Sequence, residues 1–285
     1  MAIITEFNAE PDRNKVVLIN PSQYSTGLMS RQHKQLMPPV SSLAVSSHLE
    51  NKGFETIIFD MRLNSNEELE KYISENKDQI AFAGLTVFVG SYILAAREIT
   101  AMVKKYGIRV LWGGPLVDVL PDLCEKECDA ICGPMPYDKG FNWRKIEMSK
   151  KQEPFLAYLF TSVGCPYRCT FCYLQSYKKK VVLRSVETVI EEMDRINNDF
   201  GITEFGIGDD NFFTNAKRSV QILNQMKNRG YTVSKVIGAQ RNFTSEVLDV
   251  VMGVVKTVIF SLEAASEEII ERIKKPVDLK RAVEL

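Results

Sequence analysis

The chain has 285 residues, of which 45% are hydrophobic and 25% charged, and such proportions are ordinary for a globular protein of two domains. Basic and acidic residues number 36 each, so no excess of positive charge points to nucleic acid. No apolar run approaches the roughly 18 residues of a membrane span, and residues 1–15 lack the apolar core of a signal peptide. We therefore predict a cytoplasmic protein, and in that reducing compartment clustered cysteines favour metal binding over disulfides.

The first half of the chain alternates apolar runs with amphipathic segments. Strands are predicted at 15–20, 54–59, 80–86, 108–112 and 129–132, and helices at 40–52, 67–77 and 91–106. This alternation is typical of a doubly wound parallel sheet of Rossmann-like type. We therefore predict an α/β domain over residues 1–133, followed by a polar linker over residues 134–153.

Doubly wound sheets bind their ligands at the carboxyl ends of the strands. Several glycines fall at the predicted strand ends, and glycine lets the backbone approach a ligand closely. The candidate binding residues at these ends are Asn20, Thr86, Val87, Gly90, Gly113, Gly114, Pro115 and Gly133.

The alternation of strands and helices restarts after the linker. Strands are predicted at 155–161, 203–207, 233–238 and 257–262, with helices at 216–229 and after the N-cap residues Ser185 and Thr244. Four such units in a row predict a partial (β/α) barrel over residues 154–285, with its active site at the carboxyl ends of the strands.

Three cysteines, Cys165, Cys169 and Cys172, lie in one loop after the first predicted strand of this barrel. Thiolates are soft ligands, and three of them can bind an iron–sulfur cluster or a zinc ion. A zinc site usually has a fourth ligand nearby, whereas both histidines, His33 and His48, lie far upstream. A four-iron cluster with three ligands would leave one iron open. Three unrelated structural cysteines are the remaining alternative.

The pattern C-x-x-x-C-x-x-C, with the aromatic Phe171 before its last cysteine, resembles the radical S-adenosylmethionine (SAM) superfamily. The resemblance implies a 4Fe-4S cluster whose open iron binds the amino and carboxylate groups of SAM, and whose reduction yields a 5′-deoxyadenosyl radical. It also implies that SAM is bound by Phe171, Gly206, Gly208, Asp209, Asp210, Arg241, Ser261 and Glu263.

In this resemblance, Asp209 and Asp210 would hold an ammonium group, Arg241 a carboxylate and Glu263 the ribose hydroxyls. Each residue also has an ordinary structural alternative. Glycines pack closely at strand ends, aspartates cap turns, and Arg241 and Glu263 are equally suited to the solvated surface.

The first domain resembles the cobalamin-binding domain that precedes the radical SAM domain in one subfamily. The matching segments are residues 16–21, the turn at Pro38 and Pro39, residues 84–87 and residues 112–115. The motif Asp-x-His-x-x-Gly is absent, so no histidine is expected to bind cobalt, and the usual Gly-Glu-Gly-Glu segment is replaced by residues 133–136.

Together the two resemblances imply methyl transfer to an unactivated centre of a small-molecule or natural-product substrate, with an electron donor such as flavodoxin or ferredoxin. A radical rearrangement, cyclisation or oxidation without cobalamin is one alternative. A non-catalytic corrinoid-binding or structural metal protein is another.

Family barrels have six strands, whereas four are predicted here before a further helix begins at 277. We therefore expect either a piece of a longer protein or a naturally short form. In either case we expect the chain to hold a cluster and to bind SAM weakly, without coupling SAM cleavage to substrate turnover. An open sheet edge would then promote self-association or pairing with a partner.

Three further cysteines, Cys124, Cys128 and Cys132, are spaced by four, as on one face of a helix. Because Cys132 is predicted to lie in a strand, the three thiols are expected on different elements, as small buried apolar residues.

Overall fold

A computed structural model describes residues 12–22, 39–133, 157–176 and 181–284. The predicted linker and Pro38 lie outside these residues. The described chain divides into two compact units, one formed by residues before the linker and one by residues after it. Within the described ranges, no helix is long and apolar enough to cross a membrane.

The first unit is a five-stranded sheet in the order β2-β1-β3-β4-β5, and every pair of neighbouring strands is parallel. Its elements are β1 (Lys15–Asn20), α1 (Val40–Glu50), β2 (Glu55–Asp60), α2 (Asn66–Asn76), β3 (Ile80–Thr86), α3 (Tyr92–Lys104), β4 (Val110–Gly113), α4 (Pro115–Val119), α5 (Pro121–Cys124) and β5 (Ala130–Ile131). The doubly wound parallel sheet is thus confirmed.

Both faces of this sheet are covered, as a parallel sheet requires. Along β1, Val17 and Ile19 face a core that includes residues of α2 and α3, whereas Val16 and Leu18 face a second core that includes Leu49 of α1. The alternation follows the two-residue period of a strand. It also explains why β1 was predictable as an unbroken apolar run.

The second unit contains a parallel sheet in the order β10-β9-β6, a parallel pair of β11 with β12 and an antiparallel pair of β7 with β8. Its elements are β6 (Ala157–Leu159), β7 (Ser162–Val163), β8 (Val182–Leu183), α6 (Val186–Phe200), β9 (Glu204–Ile207), α7 (Ala216–Asn228), β10 (Thr232–Val233), β11 (Val236–Ile237), α8 (Ser245–Val251), β12 (Val258–Ile259), α9 (Glu267–Arg272) and α10 (Leu279–Glu284). The Ser185 hydroxyl accepts from the Thr188 amide, and that of Thr244 from the Val247 amide, so both predicted N-caps are confirmed.

The single strand predicted over 233–238 is wrong, because the structure has two short strands there. The backbone changes its partner between them: the Ser234 amide donates to Phe205 of β9, and the Val236 amide donates to Thr257 beside β12. The strand predicted over 257–262 is likewise reduced to β12. Both differences concentrate irregular backbone near the carboxyl ends, where the candidate site lies.

Candidate functional site

The cysteine loop follows β6 and β7 and makes a tight turn, in which the Cys172 amide donates to the Cys169 carbonyl at 3.1 Å. Burial raises the pKa of the Cys165 thiol, and the charges of Asp210 and the other two thiols raise it further. Burial likewise raises the pKa of Cys169, with the charge of Cys172 adding to it. A bound cation would oppose these shifts and favour deprotonation of the thiols.

Among the described residues, no three His, Cys, Asp or Glu side chains lie close enough together to hold one metal ion. An iron–sulfur cluster takes each thiolate on a separate iron atom and so needs a wider spacing. Three soft thiols from one loop fit such a cluster by the chemistry of the donor set.

A buried carboxylate fixes the segment that leads into the loop. Asp209, which is 0% exposed, accepts from the Thr161 amide, the Thr161 hydroxyl and the Ser162 hydroxyl, each at 2.6 Å. Burial raises the pKa of Asp209, and these hydrogen bonds oppose the shift. The expected role of Asp209 in holding an ammonium is therefore corrected: its oxygens face Thr161 and Ser162 inside the domain.

Two buried arginines also hold this segment in place. Arg218 of α7 donates to the carbonyls of Thr161 and Arg184, both at 2.7 Å. Arg184 donates to the Phe160 carbonyl at 3.0 Å and pairs with Glu192 of α6 at 2.6 Å. The entry to the cysteine loop is thus held by charged groups that donate to backbone oxygens.

This network was not predicted from the sequence, although two helices carry a charged residue on their apolar face. Glu192 falls on the helical face that buries Val189 and Ile196, and Arg218 falls on the face that buries Ile222 and Met226. A charged residue on the apolar face of an amphipathic helix is expected to have a buried partner.

Polar side chains at the ends of β9 and β11 also contact the loop. Asp210 accepts from the Gly164 amide at 2.8 Å. Asn242 accepts from the Tyr167 hydroxyl at 3.3 Å and from the Asn211 amide group at 3.2 Å. The structure therefore brings the cysteine loop together with the ends of both strands, as the barrel rule predicts.

The two glycines at the end of β9 make room for aromatic rings. A Cβ placed on Gly206 would lie 2.3 Å from the Tyr158 ring, and one on Gly208 would lie 3.0 Å from the Phe160 ring. Close packing, the structural alternative for these glycines, is therefore present. It accounts for both glycines without a ligand.

Near the end of β12, one lysine contacts three of the candidate SAM-binding residues. The Lys275 ammonium donates to the Ser261 hydroxyl at 2.8 Å and to Glu263 at 3.1 Å, and it lies 5.5 Å from the centre of the Phe171 ring. The hydroxyl of Ser261 and the charge of Lys275 lower the pKa of Glu263. Sequence analysis did not single out Lys275. Arg241 is exposed at the end of β11.

In the first unit, the ends of β3 and β4 come together. The Val87 amide donates to Gly113 at 2.8 Å, and a Cβ on Gly114, whose φ is +93°, would lie 3.1 Å from Val87 backbone atoms. Pro115 is the first residue of α4, and a Cβ on Gly133 would meet nothing within 4 Å. Thus Thr86, Val87, Gly113 and Gly114 form one close-packed edge.

Two other candidate residues at strand ends, Asn20 and Gly90, lie outside this close-packed edge. Asn20 at the end of β1 donates to Asp60 at 3.2 Å, and Asp60 is also paired with Arg62. Gly90 has a positive φ of 89°, and Val89 beside it is 59% exposed.

The remaining cysteines lie on different elements, as expected. Cys124 ends α5, and the Cys128 thiol donates to the carbonyls of Cys124 and Ala130 at 3.2 and 3.1 Å. Cys132 lies just beyond β5, which ends one residue earlier than predicted. Burial raises the pKa of Cys124 to about 11, as for a thiol kept protonated in a core.

Comparison with known families matches residues 159–285 to the radical SAM superfamily and residues 29–136 to the B12 binding domain. An uncharacterized methyltransferase of Pyrococcus horikoshii is 33% identical over 129 residues, which is 44% of this chain and 28% of that protein. Cytidylyl-2-hydroxyethylphosphonate methyltransferase of Streptomyces wedmorensis is 30% identical over 162 residues, which is 53% of this chain and 30% of that protein. The chain thus spans less than a third of the length of these relatives.

Solved structures show the same fold. The radical SAM methyltransferase TsrM of Kitasatospora setae, with cobalamin and a [4Fe-4S] cluster bound, matches with a TM-score of 0.70 at 14% identity, over 95% of this chain and 66% of that one. Its complex with tryptophan and a SAM analogue matches with the same score at 15% identity, over 95% and 64% of the two chains. The chain thus combines a match to the B12 binding domain with a following match to the radical SAM superfamily, and this is the domain order of the cobalamin-dependent radical SAM subfamily that it resembles.

Proposed function

We propose that this chain is the corrinoid-binding and radical-generating part of a methyltransferase that acts on an unactivated centre of a small molecule. The observation that carries the proposal is the loop of three thiols, braced by buried charges at the strand ends of a radical SAM domain. The B12-binding domain in the same chain supports methyl transfer over other radical reactions.

The residues divide the work. Cys165, Cys169 and Cys172 hold the cluster. The pKa of Glu263 is lowered, so the Glu263 carboxylate is ionised and can accept hydrogen bonds from the ribose hydroxyls. Arg241, exposed at the end of β11, is available to pair with a carboxylate. When bound, the reduced cluster would supply the electron that cleaves SAM, and the corrinoid would carry the methyl group.

The edge of the first unit suits a flat corrinoid ring. Phe88 and Val89 offer exposed apolar surface just beyond β3, next to the close-packed glycines Gly113 and Gly114. No histidine is needed as a cobalt ligand in this arrangement.

A small-molecule substrate is supported by the relatives. One is named for a cytidylyl phosphonate, and TsrM has tryptophan bound. The electron comes from a one-electron donor of the flavodoxin or ferredoxin class. Free thiols that hold an oxygen-sensitive cluster suit the reducing cytoplasm.

Anaerobic reconstitution of the chain with iron and sulfide tests the cluster. We expect about four iron atoms per chain and an electron paramagnetic resonance (EPR) signal on reduction, both lost in Cys169→Ala and kept in the control Cys128→Ala. Zinc in place of iron in the protein as purified would contradict the proposal and support a structural metal domain.

Incubation with hydroxocobalamin followed by desalting tests the corrinoid edge. We expect retained visible absorbance, lost in Val89→Glu and kept in Met252→Glu, because Met252 is even more exposed than Val89 but lies in the second unit. If the unaltered chain retains no corrinoid, methyl transfer is wrong, and a radical rearrangement, cyclisation or oxidation takes its place.

A further inference from the structure

Lys275 lies in a connection that is fixed at both ends. This connection, residues 273–278, runs from α9 to α10. Its first residue accepts a hydrogen bond from the Thr170 amide of the cysteine loop at 3.0 Å, and the Asp278 amide donates to Gln240 beyond β11 at 3.1 Å. The backbone around Lys275 is therefore tied both to the cysteine loop and to a strand end.

The side chain of Lys275 has a set of partners that a surface lysine lacks. It is 15% exposed, donates to Ser261 and Glu263, and lies over the face of Phe171 within the range of a cation–π contact. A lysine held this way has lost most of its freedom, so its charge has a defined position.

That position is close to the cysteine loop. The ring of Phe171, which directly precedes Cys172, lies 5.5 Å from the Lys275 ammonium. The Thr170 amide of the same loop donates to Ile273, two residues before Lys275. A positive charge near a cluster favours the form that has gained an electron, because reduction adds one negative charge. Net charge and solvent exposure are among the factors that set cluster potentials.

We propose that Lys275 is a positioning residue that joins the cofactor edge to the cluster: it fixes Ser261 and Glu263 and stabilises the reduced cluster on Cys165, Cys169 and Cys172. The inference rests on the proposed function. It adds that replacing this one lysine changes how easily the cluster is reduced, while the cluster itself is retained.

The test is a redox titration of the reconstituted chain, followed by EPR. Lys275→Met removes the charge, Lys275→Arg keeps it, and Lys256→Met is the matched control, because Lys256 pairs with Glu204 at the start of β9. We expect Lys275→Met to hold normal iron but to show a roughly tenfold lower ratio of reduced to oxidised cluster at a fixed applied potential. For a one-electron couple that is about 59 mV. The Arg variant and the control should match the unaltered chain.

Glu263→Gln is expected to change the reduced fraction of the cluster in the opposite direction. This variant tests the role of Lys275 even if Lys275→Met loses its cluster. Removing the negative charge that faces Lys275 should raise the reduced fraction. Normal iron with an unchanged ratio in Lys275→Met, or a fall in the reduced fraction of Glu263→Gln, would overturn the inference alone. An unaltered chain that binds no iron would overturn the proposed function, and the inference with it.

Discussion

Replacing Asp209 with alanine is expected to destabilise the second unit strongly. The change leaves three buried donors of Thr161 and Ser162 without their acceptor. It also removes a negative charge that opposes the lowering of the Arg218 pKa by burial. Removing one partner of a buried charge network costs about 3–5 kcal/mol, more than the roughly 1 kcal/mol of an ordinary hydrogen bond.

Urea denaturation can distinguish unfolding of the second unit from unfolding of the first unit. In a Trp143→Phe background the remaining tryptophan is Trp112, which is 0% exposed in the first unit, so its emission follows that unit. Circular dichroism follows helices of both units. With a slope of about 2 kcal/mol per molar urea, a loss of about 4 kcal/mol moves the transition of the second unit down by about 2 M.

We expect the Trp112 transition to stay in place while the dichroism transition moves to lower urea. Asp210→Ala is the comparison variant, because Asp210 is partly exposed and accepts from the Gly164 amide. It should cost only about 1 kcal/mol. Equal transitions for Asp209→Ala and the unaltered chain would refute the argument that this carboxylate sets the entry to the cysteine loop.

Three further outcomes are expected. Cys165→Ala should lose most of its iron after reconstitution, measured by colorimetric assay, whereas Cys132→Ala should keep it. Gly206→Ala should lower the free energy of unfolding in urea by about 1–3 kcal/mol, because its Cβ would overlap the Tyr158 ring. Gly114→Ala should destabilise the first unit by a similar amount, visible in tryptophan emission, because its φ of +93° strains any side chain.

The elements predicted best are those with a purely local signal. The bounds of β1 and β3 are as predicted, because each is an apolar run buried in a parallel sheet. A local signal also marks the end of α6, since Gly201 adopts the left-handed conformation that closes a helix.

Elements that depend on distant partners were predicted less well. The helices α4 and α5 were missed because Pro115 and Pro121 suggest a loop, yet each is the first residue of its helix, where proline needs no hydrogen-bond donor. The break between β10 and β11 arises where the backbone changes partner, which no local pattern records.

The candidate site, too, was predicted well only where its signal is local. Cysteine spacing alone predicted the loop, but an aspartate after a strand suits a ligand and a neighbouring backbone equally well. Thr161, the partner that decides between them for Asp209, lies 48 residues earlier in the chain. Lys275 gave no signal because it stands in a charged segment without periodicity.

The way the loop is held also bears on its chemistry. Phe160 and Thr161 accept from Arg184 and Arg218, and Thr161 donates to Asp209, so directional contacts fix the backbone just before the first cysteine. Apolar packing of equal area would give stability without direction, whereas hydrogen bonds between charged groups and the backbone also specify geometry. Under the proposed function, the loop presents three thiols to one cluster and would need that specification most at its entry. The buried charges therefore lie where a small shift of backbone would displace the thiols.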